Sequence, residues 1–214
     1  MQGMNMFKTM ENTWGHRFIS KMPMDEYKFS ASADLGIGLT RSFGLISTSA
    51  LITNGGGYKT SEIDQFKKLS IHGVYGETKL NKQDGFNSGL SFSMEPQDND
   101  SLSTIENTYV IGVFTGYAVN GFRGGFEYDL QSRTDNFSNL ISTYVTYRFS
   151  DKFSFLGRLD QVDISKNNDE FKAIILGLHY KAVKGLNIAP LFRIKSYEKE
   201  NSESSIILNF QFKF

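Results

Sequence analysis

Apolar and polar residues alternate with a period of two along most of this sequence. Successive side chains of a β-strand point to opposite faces of a sheet, so this alternation predicts strands with one apolar and one polar face. In the segment 172–180, for example, Leu176, Leu178 and Tyr180 alternate with Gly177 and His179. Eleven segments follow this pattern: 31–43, 45–53, 68–76, 86–94, 107–118, 121–131, 139–149, 152–162, 172–180, 186–195 and 204–214. The chain is therefore predicted to be all-β and antiparallel.

The links between these segments alternate in length. Short links are predicted at 43–44, 119–120, 150–151 and 181–185, and longer polar links at 54–66, 95–106, 131–138, 163–171 and 196–203. The link 77–84 breaks the trend, because it is long but falls among the short ones. Short turns at one rim and long loops at the other are typical of membrane β-barrels.

The composition narrows the class of protein further. There are 19 Phe, 10 Tyr and 20 Gly but only 3 Pro, which suits strands that carry aromatic girdles and end in tight turns. The absence of Cys excludes disulfides, thiolate metal sites and a Cys nucleophile. The balance of 23 Lys plus Arg against 23 Asp plus Glu argues against nucleic acid as a partner. The sequence also lacks the run of about 18 apolar residues that a transmembrane helix needs.

The last predicted strand carries the most specific pattern. Apolar residues occupy every second position up to a terminal Phe: Ile206, Leu208, Phe210, Phe212 and Phe214. This resembles the C-terminal signature of Gram-negative outer-membrane barrels, which implies that these five residues form the signal recognised by the barrel-assembly machinery. An ordinary amphipathic edge strand is the alternative interpretation.

The wider chain resembles Gram-negative porins at the level of short patterns. The segments that carry the resemblance are WGHRF at 14–18, SADLG at 32–36, NGGGY at 54–58 and GRLD at 157–160. The resemblance implies an antiparallel transmembrane β-barrel in the cell outer membrane, with about 16 strands in total. It implies passive diffusion of small hydrophilic or ionic solutes, without enzymatic activity or a cofactor. The implied partners are outer-membrane lipids, lipopolysaccharide and, in a homotrimer, two further copies of the protein.

Strand parity extends this interpretation. The terminal Phe of such barrels lies at the periplasmic rim, which would place residues 1–29 on the extracellular side and residues 30–214 in the barrel. The segment 5–27 is our candidate for a loop that folds into the lumen, because this segment is long and contains the only Trp. An odd strand count without a signal peptide predicts that strands are missing upstream. A twelfth strand within residues 1–29 is the alternative.

Charged residues on the predicted polar faces are candidates for the pore lining. They are Asp34, Arg123, Glu127, Asp129, Arg148, Arg158, Asp160 and Arg193. Rings of such charges set solute selectivity in water-filled pores, but the same residues could instead pair with one another and only solvate the lumen. Because both signs are present, a preference for anions or cations is not predicted.

The sequence offers candidate residues for three other kinds of site. His16, His72 and His179 lack metal-ligand spacing, and no metal site is predicted. His72 or His179 beside a Ser would suit a lipase-like barrel enzyme, which is one alternative function. Glu127 and Asp129 lie about 6.7 Å apart along a strand, a separation that suits glycoside hydrolysis, but a solvated lumen wall explains them more simply. A non-channel structural barrel and a soluble β-sandwich are the remaining alternatives.

Overall fold

The fold comes from a computed structural model, which describes residues 2–3, 5–57, 65–99, 104–134, 136–164, 169–198 and 201–213. Two helices occur in these residues, α1 (Asn5–Trp14) and α2 (Pro23–Glu26). The strands in the same residues are β1 (Gln2–Gly3), β2 (Ala33–Asp34), β3 (Gly36–Phe43), β4 (Ile46–Thr53), β5 (Lys68–Gly76), β6 (Gly85–Asn99), β7 (Thr104–Val119), β8 (Phe122–Arg133), β9 (Asn136–Arg148), β10 (Phe153–Ile164), β11 (Asp169–Val183), β12 (Leu186–Tyr197) and β13 (Glu203–Phe212). Neither helix is long and apolar enough to cross a membrane, as judged over the described residues.

Strands β3 to β13 form a single antiparallel sheet in which each strand pairs with the next along the chain. The predicted all-β architecture of eleven alternating strands is confirmed. The connections are local, as they are when hairpins follow one another. One turn illustrates how the sequence specifies them. Asn120 and Gly121, between β7 and β8, have φ angles of +48° and +82°, and this dipeptide is favoured in type I′ hairpin turns.

Several strands are longer than predicted, and this corrects the predicted loops. Strands β6 and β7 continue into the predicted link 95–106, where Gln97 pairs with Glu106. Only residues 134–135 separate β8 from β9. The strand ends were predicted from the last apolar residue of each alternating pattern. Backbone hydrogen bonds between strands do not need apolar side chains, so the pairing continues between polar residues. The difference in length between the two sets of links is therefore much smaller than expected.

The first predicted strand is shorter than expected. The pairing with β4 begins at Gly36, whereas Ala33 and Asp34 pair with β1 instead. The Asp34 carboxylate accepts hydrogen bonds from the backbone N–H of Leu35 at 2.8 Å and of Gly55 at 2.6 Å. These bonds hold the chain in a bend before β3, so alternation within 31–35 does not become part of the large sheet.

One face of the sheet, the outer face, exposes large apolar side chains along every strand. Ile37 is 77% exposed, Leu90 63% and Ile206 86%. Further members are Leu39, Ile52, Ile71, Phe86, Ile111, Tyr128, Tyr147, Phe155, Leu176, Phe192 and Phe210. Water-soluble proteins rarely expose contiguous apolar patches beyond a few hundred Å². This surface is therefore built for an apolar environment.

Residues 5–32, the inner segment, lie on the opposite face, the inner face. Its Met10, Trp14, Met22 and Met24 are at most 1% exposed and belong to one apolar cluster with residues of the sheet. Those sheet residues include Leu51, Val110, Leu140, Leu156 and Val162. The inner face is thus less uniformly polar than the sequence interpretation assumed, because part of it packs against the inner segment.

Candidate functional site

The inner segment is fixed to the sheet at the end where β7 turns into β8, called here the turn end. Arg123 of β8 donates from Nε to the carbonyl oxygen of Thr13 at 2.5 Å and from Nη2 to that of Trp14 at 3.0 Å. These carbonyls end helix α1 and lack partners within the helix. A cation at this position also complements the negative end of the helix dipole. Gly15 then reverses the chain with a φ of +75°.

A second attachment lies in the middle of the inner face. Arg158 of β10 donates from Nη1 to the carbonyl oxygen of Lys21 at 2.5 Å. Its Nη2 forms an ion pair with Asp160 at 2.7 Å, and both side chains are almost completely buried. Tyr27 and Ser142 each donate a hydroxyl hydrogen bond to Asp160, both at 2.6 Å. Burial and the Asp160 carboxylate raise the pKa of Tyr27, which therefore stays protonated as the donor.

Two carboxylates next to this attachment are buried beneath the inner segment. Glu127 and Asp129 are each 0% exposed. Glu127 accepts a hydrogen bond from the backbone N–H of Met24 at 3.3 Å. Asp129 lies within hydrogen-bonding reach of the Glu127 carboxyl group. A Cβ added to Gly112 would lie 2.5 Å from Asp129 Oδ1 and 2.9 Å from Met24 Cε, so a larger residue there would displace these side chains.

The other end of the sheet, the loop end, holds a third attachment. Lys68 of β5 donates to the Ser30 hydroxyl at 2.9 Å and forms an ion pair with Glu95 at 2.9 Å. A cavity of about 630 Å³ adjoins these residues. At the turn end, a second cavity of about 320 Å³ lies beside α1 and is lined in part by Ser42, Ser47 and Ser49. The inner segment therefore leaves polar space on the inner face at both ends.

The structure brings together five of the eight predicted pore-lining residues. Arg123, Glu127, Asp129, Arg158 and Asp160 lie beneath the inner segment or bind it, as described above. Asp34 instead hydrogen-bonds the backbone near the loop end. Arg148 is exposed at the turn end, and Arg193 is half-buried with no partner for its Nε among the described residues. A pore-lining role for these residues stays a prediction.

Among the described residues, neither His72 nor His179 is hydrogen-bonded to a Ser, as the lipase-like alternative would require. His179 shares a 2.9 Å hydrogen bond with Asn187, and His72 Nε2 has no partner among the described residues. His16 lies edge-on to the ring of His179, with 5.2 Å between ring centroids. Burial lowers the pKa of His16, and the charge of Arg123 lowers it further. Within the part of the chain that the structure describes, no group of His and acidic residues has the geometry of a metal site.

Sequence reasoning missed a third cavity at the turn end. It has a volume of about 330 Å³, and Lys181 and Lys213 contribute to its lining together with the predicted Arg123 and Arg148. One feature of the sequence could have indicated this cavity: polar residues continue on the same face up to the ends of the strands. His179 and Lys181 are two residues apart on β11, so the alternation places both side chains on the same face.

Four of the five predicted signal positions lie on the outer face of β13. Ile206, Leu208, Phe210 and Phe212 are each more than half exposed. Phe214 lies outside the described residues. The role of these positions as an assembly signal stays a prediction.

Comparison with known proteins identifies the fold. No protein-family model and no curated protein matches the sequence. Among solved structures, a porin matches with a TM-score of 0.64 and 16% sequence identity, over 88% of this chain and 64% of that chain. At this identity the likeness concerns the fold alone. The chain folds as part of a porin-type β-barrel and spans about 64% of the length of the porin that it matches.

Proposed function

We propose that this chain is part of an outer-membrane porin through which small hydrophilic or ionic solutes diffuse passively. In this proposal the sheet curves around a lumen that the inner face lines, and the outer face contacts lipid. The backbone polar groups of each strand bond to the neighbouring strands, as the hydrocarbon core of a membrane requires. Transport then needs no catalytic group and no cofactor.

The distribution of side chains between the two faces carries this proposal. In a water-soluble barrel the interior would be apolar, whereas here the exposed side of the sheet is apolar and charged groups lie on the covered side. A membrane barrel has this inverted arrangement, with apolar residues toward lipid and a polar lumen. The fold similarity to a porin agrees with it.

In the proposed porin, the inner segment narrows the lumen. Arg123, Arg158 and Lys68 hold this segment against the wall along the whole height of the sheet. Solutes would pass through the polar space that remains beside it, and the charged side chains of the inner face would select among them. We further propose that the loop end is extracellular, near lipopolysaccharide, and that the barrel-assembly machinery binds β13. A homotrimer is the assembly that we expect.

Solute flux into proteoliposomes tests the proposed function. The full-length protein would be reconstituted into vesicles, and swelling would be followed in sugars of increasing size. We expect rapid swelling with monosaccharides and none with large oligosaccharides. Heat-denatured protein provides the control. Absence of swelling with any sugar, from protein whose electrophoretic mobility still changes on heating, would rule out a diffusion pore while leaving the barrel intact.

A further inference from the structure

Strand register places a row of polar side chains across the inner face at the turn end. Arg148 on β9 is paired with Ser154 on β10, and Ser154 is paired with His179 on β11. One step nearer the turn, Lys181 on β11 is paired with Asn187 on β12, and Asn187 with Gln211 on β13. Directly paired residues point to the same face, so the row continues over five strands and lines the cavity of about 330 Å³.

The charged side chains that line this cavity are mostly positive. Its charged lining consists of five cations and one carboxylate: Lys82, Arg123, Arg148, Lys181, Lys213 and Asp84. Asp84 already accepts a hydrogen bond from the Asn120 backbone N–H at 2.9 Å. No ion pair within the described residues involves Arg148, Lys181 or Lys213. The carboxylates Glu127, Asp129 and Asp160 lie elsewhere, beneath the inner segment.

A chain of hydrogen bonds orients neutral groups beside these cations. His179 Nε2 lies 2.9 Å from Asn187 Oδ1, and Asn187 donates from Nδ2 to Gln211 Oε1 at 3.1 Å. This leaves the amide group of Gln211 as a donor at the cavity, with the hydroxyl groups of Thr146 and Ser154 nearby. Donors and cations thus surround a space large enough for a small anion.

We propose that this cavity is a binding site for small phosphate-bearing anions. Arg148 supplies a planar donor pair for two phosphate oxygens, while Lys181 and Lys213 act as point charges on the other side. Arg123, which is fixed by the end of α1, contributes its charge without having to move. Binding of the anion does not depend on the proposed porin function. Only transport of a bound anion across the membrane would rest on that function.

Titration of the full-length protein with inorganic phosphate tests the site. The method is isothermal titration calorimetry at low ionic strength. The detergent has a sugar headgroup without phosphate, so the binding measured is that of inorganic phosphate and not of a lipid headgroup. We expect saturable binding, weakened about fivefold by Lys181→Gln or Lys213→Gln and by more than tenfold in the double variant, because each removes one charge near the anion. Binding should also weaken as salt increases.

Lys184→Gln is the matched control. It removes the same charge from the turn next to Lys181, but Lys184 does not line the cavity. Phosphate binding should be unchanged in this variant. The proposal is overturned if the wild-type protein shows no saturable binding, or if the double variant binds as well as the control. Swelling assays on the same preparations separate the two proposals, because a protein that passes sugars without binding phosphate contradicts only this one.

Discussion

Arg158 and Asp160 form an ion pair at 2.7 Å on the inner face of β10, with side chains that are 1% and 0% exposed. They are two residues apart, so both point to the same face. Since Arg158 also binds the carbonyl of Lys21, and Asp160 accepts from Tyr27, this pair connects the inner segment to the wall of the barrel. The position of the inner segment therefore depends on two charged side chains that are buried and paired with each other.

Breaking this pair should destabilise the protein strongly. Asp160→Ala leaves the Arg158 charge buried without its partner, which costs about 3–5 kcal/mol of unfolding free energy. The double variant Arg158→Met, Asp160→Leu removes both charges and should recover more than half of that loss. Urea unfolding in lipid vesicles, followed by gel mobility, measures both. A double variant that is no more stable than Asp160→Ala would contradict this account of the pair.

Gly15 allows Arg123 to bind the end of α1. An added Cβ would overlap Arg123 Nη2, and the φ of +75° is unfavourable for other residues. Gly44→Ala is the matched control, since its φ is +58° but no described atom lies within 4 Å of the added Cβ. Both substitutions incur backbone strain of about 1–2 kcal/mol. We expect Gly15→Ala to lower the unfolding free energy by at least about 1 kcal/mol more. Equal losses in urea unfolding would show that the Arg123 contact contributes little.

Most of the fold could be predicted from sequence because alternation is a local signal. All eleven predicted segments overlap strands of the sheet, from β3 to β13. The ends of strands were less predictable. Gln97 and Glu106 pair through backbone atoms, and this pairing leaves no trace in the pattern of apolar residues.

The site was less predictable than the fold, because partners in it are distant in sequence. Alternation places Arg123 and Asp160 on the polar face correctly. It does not indicate that Arg123 binds Thr13, 110 residues away, or that Asp160 binds Tyr27, 133 residues away. Asp34 also fits the alternation, yet it bonds to the backbone near a bend. These contacts depend on which atoms of the inner segment meet which strand, and no local pattern specifies that.

Adjacent positions on β13 should differ in their tolerance of charge. Phe210 is 53% exposed on the outer face, while Gln211 lines the cavity at the turn end. Phe210→Lys places a charge on the outer face, which contacts lipid in the proposed barrel. It should lower stability in vesicles by as much as about 2–4 kcal/mol, and by less near the interface. Gln211→Lys should cost much less. The folded fraction after refolding into vesicles, read from heat-modifiable mobility, compares them. Similar losses would contradict the assignment of the faces.

His16 should make stability depend on pH. Burial, with the charges of Arg123 on β8 and Lys181 on β11 and with His179, lowers its pKa in the folded protein. The unfolded chain has a pKa of about 6.5 and therefore binds a proton first as the pH falls. The stability that depends on neutral His16 is complete above about pH 6.5 and decreases below it by at most about 1.4 kcal/mol per pH unit, until the folded pKa is reached.

The His16→Gln variant isolates this contribution. Urea unfolding from pH 8 to pH 4.5 should give a flatter dependence of unfolding free energy on pH in the variant than in the wild-type protein. Parallel curves would mean that His16 is protonated equally in the folded and unfolded states.

Planar-bilayer conductance of the full-length protein tests most directly whether this fold surrounds an open pore. We predict discrete current steps that are proportional to voltage, because water and ions would occupy the polar space beside the inner segment. Protein that inserts and shows heat-modifiable mobility but passes no current would contradict the account, because its barrel would then be closed to solutes.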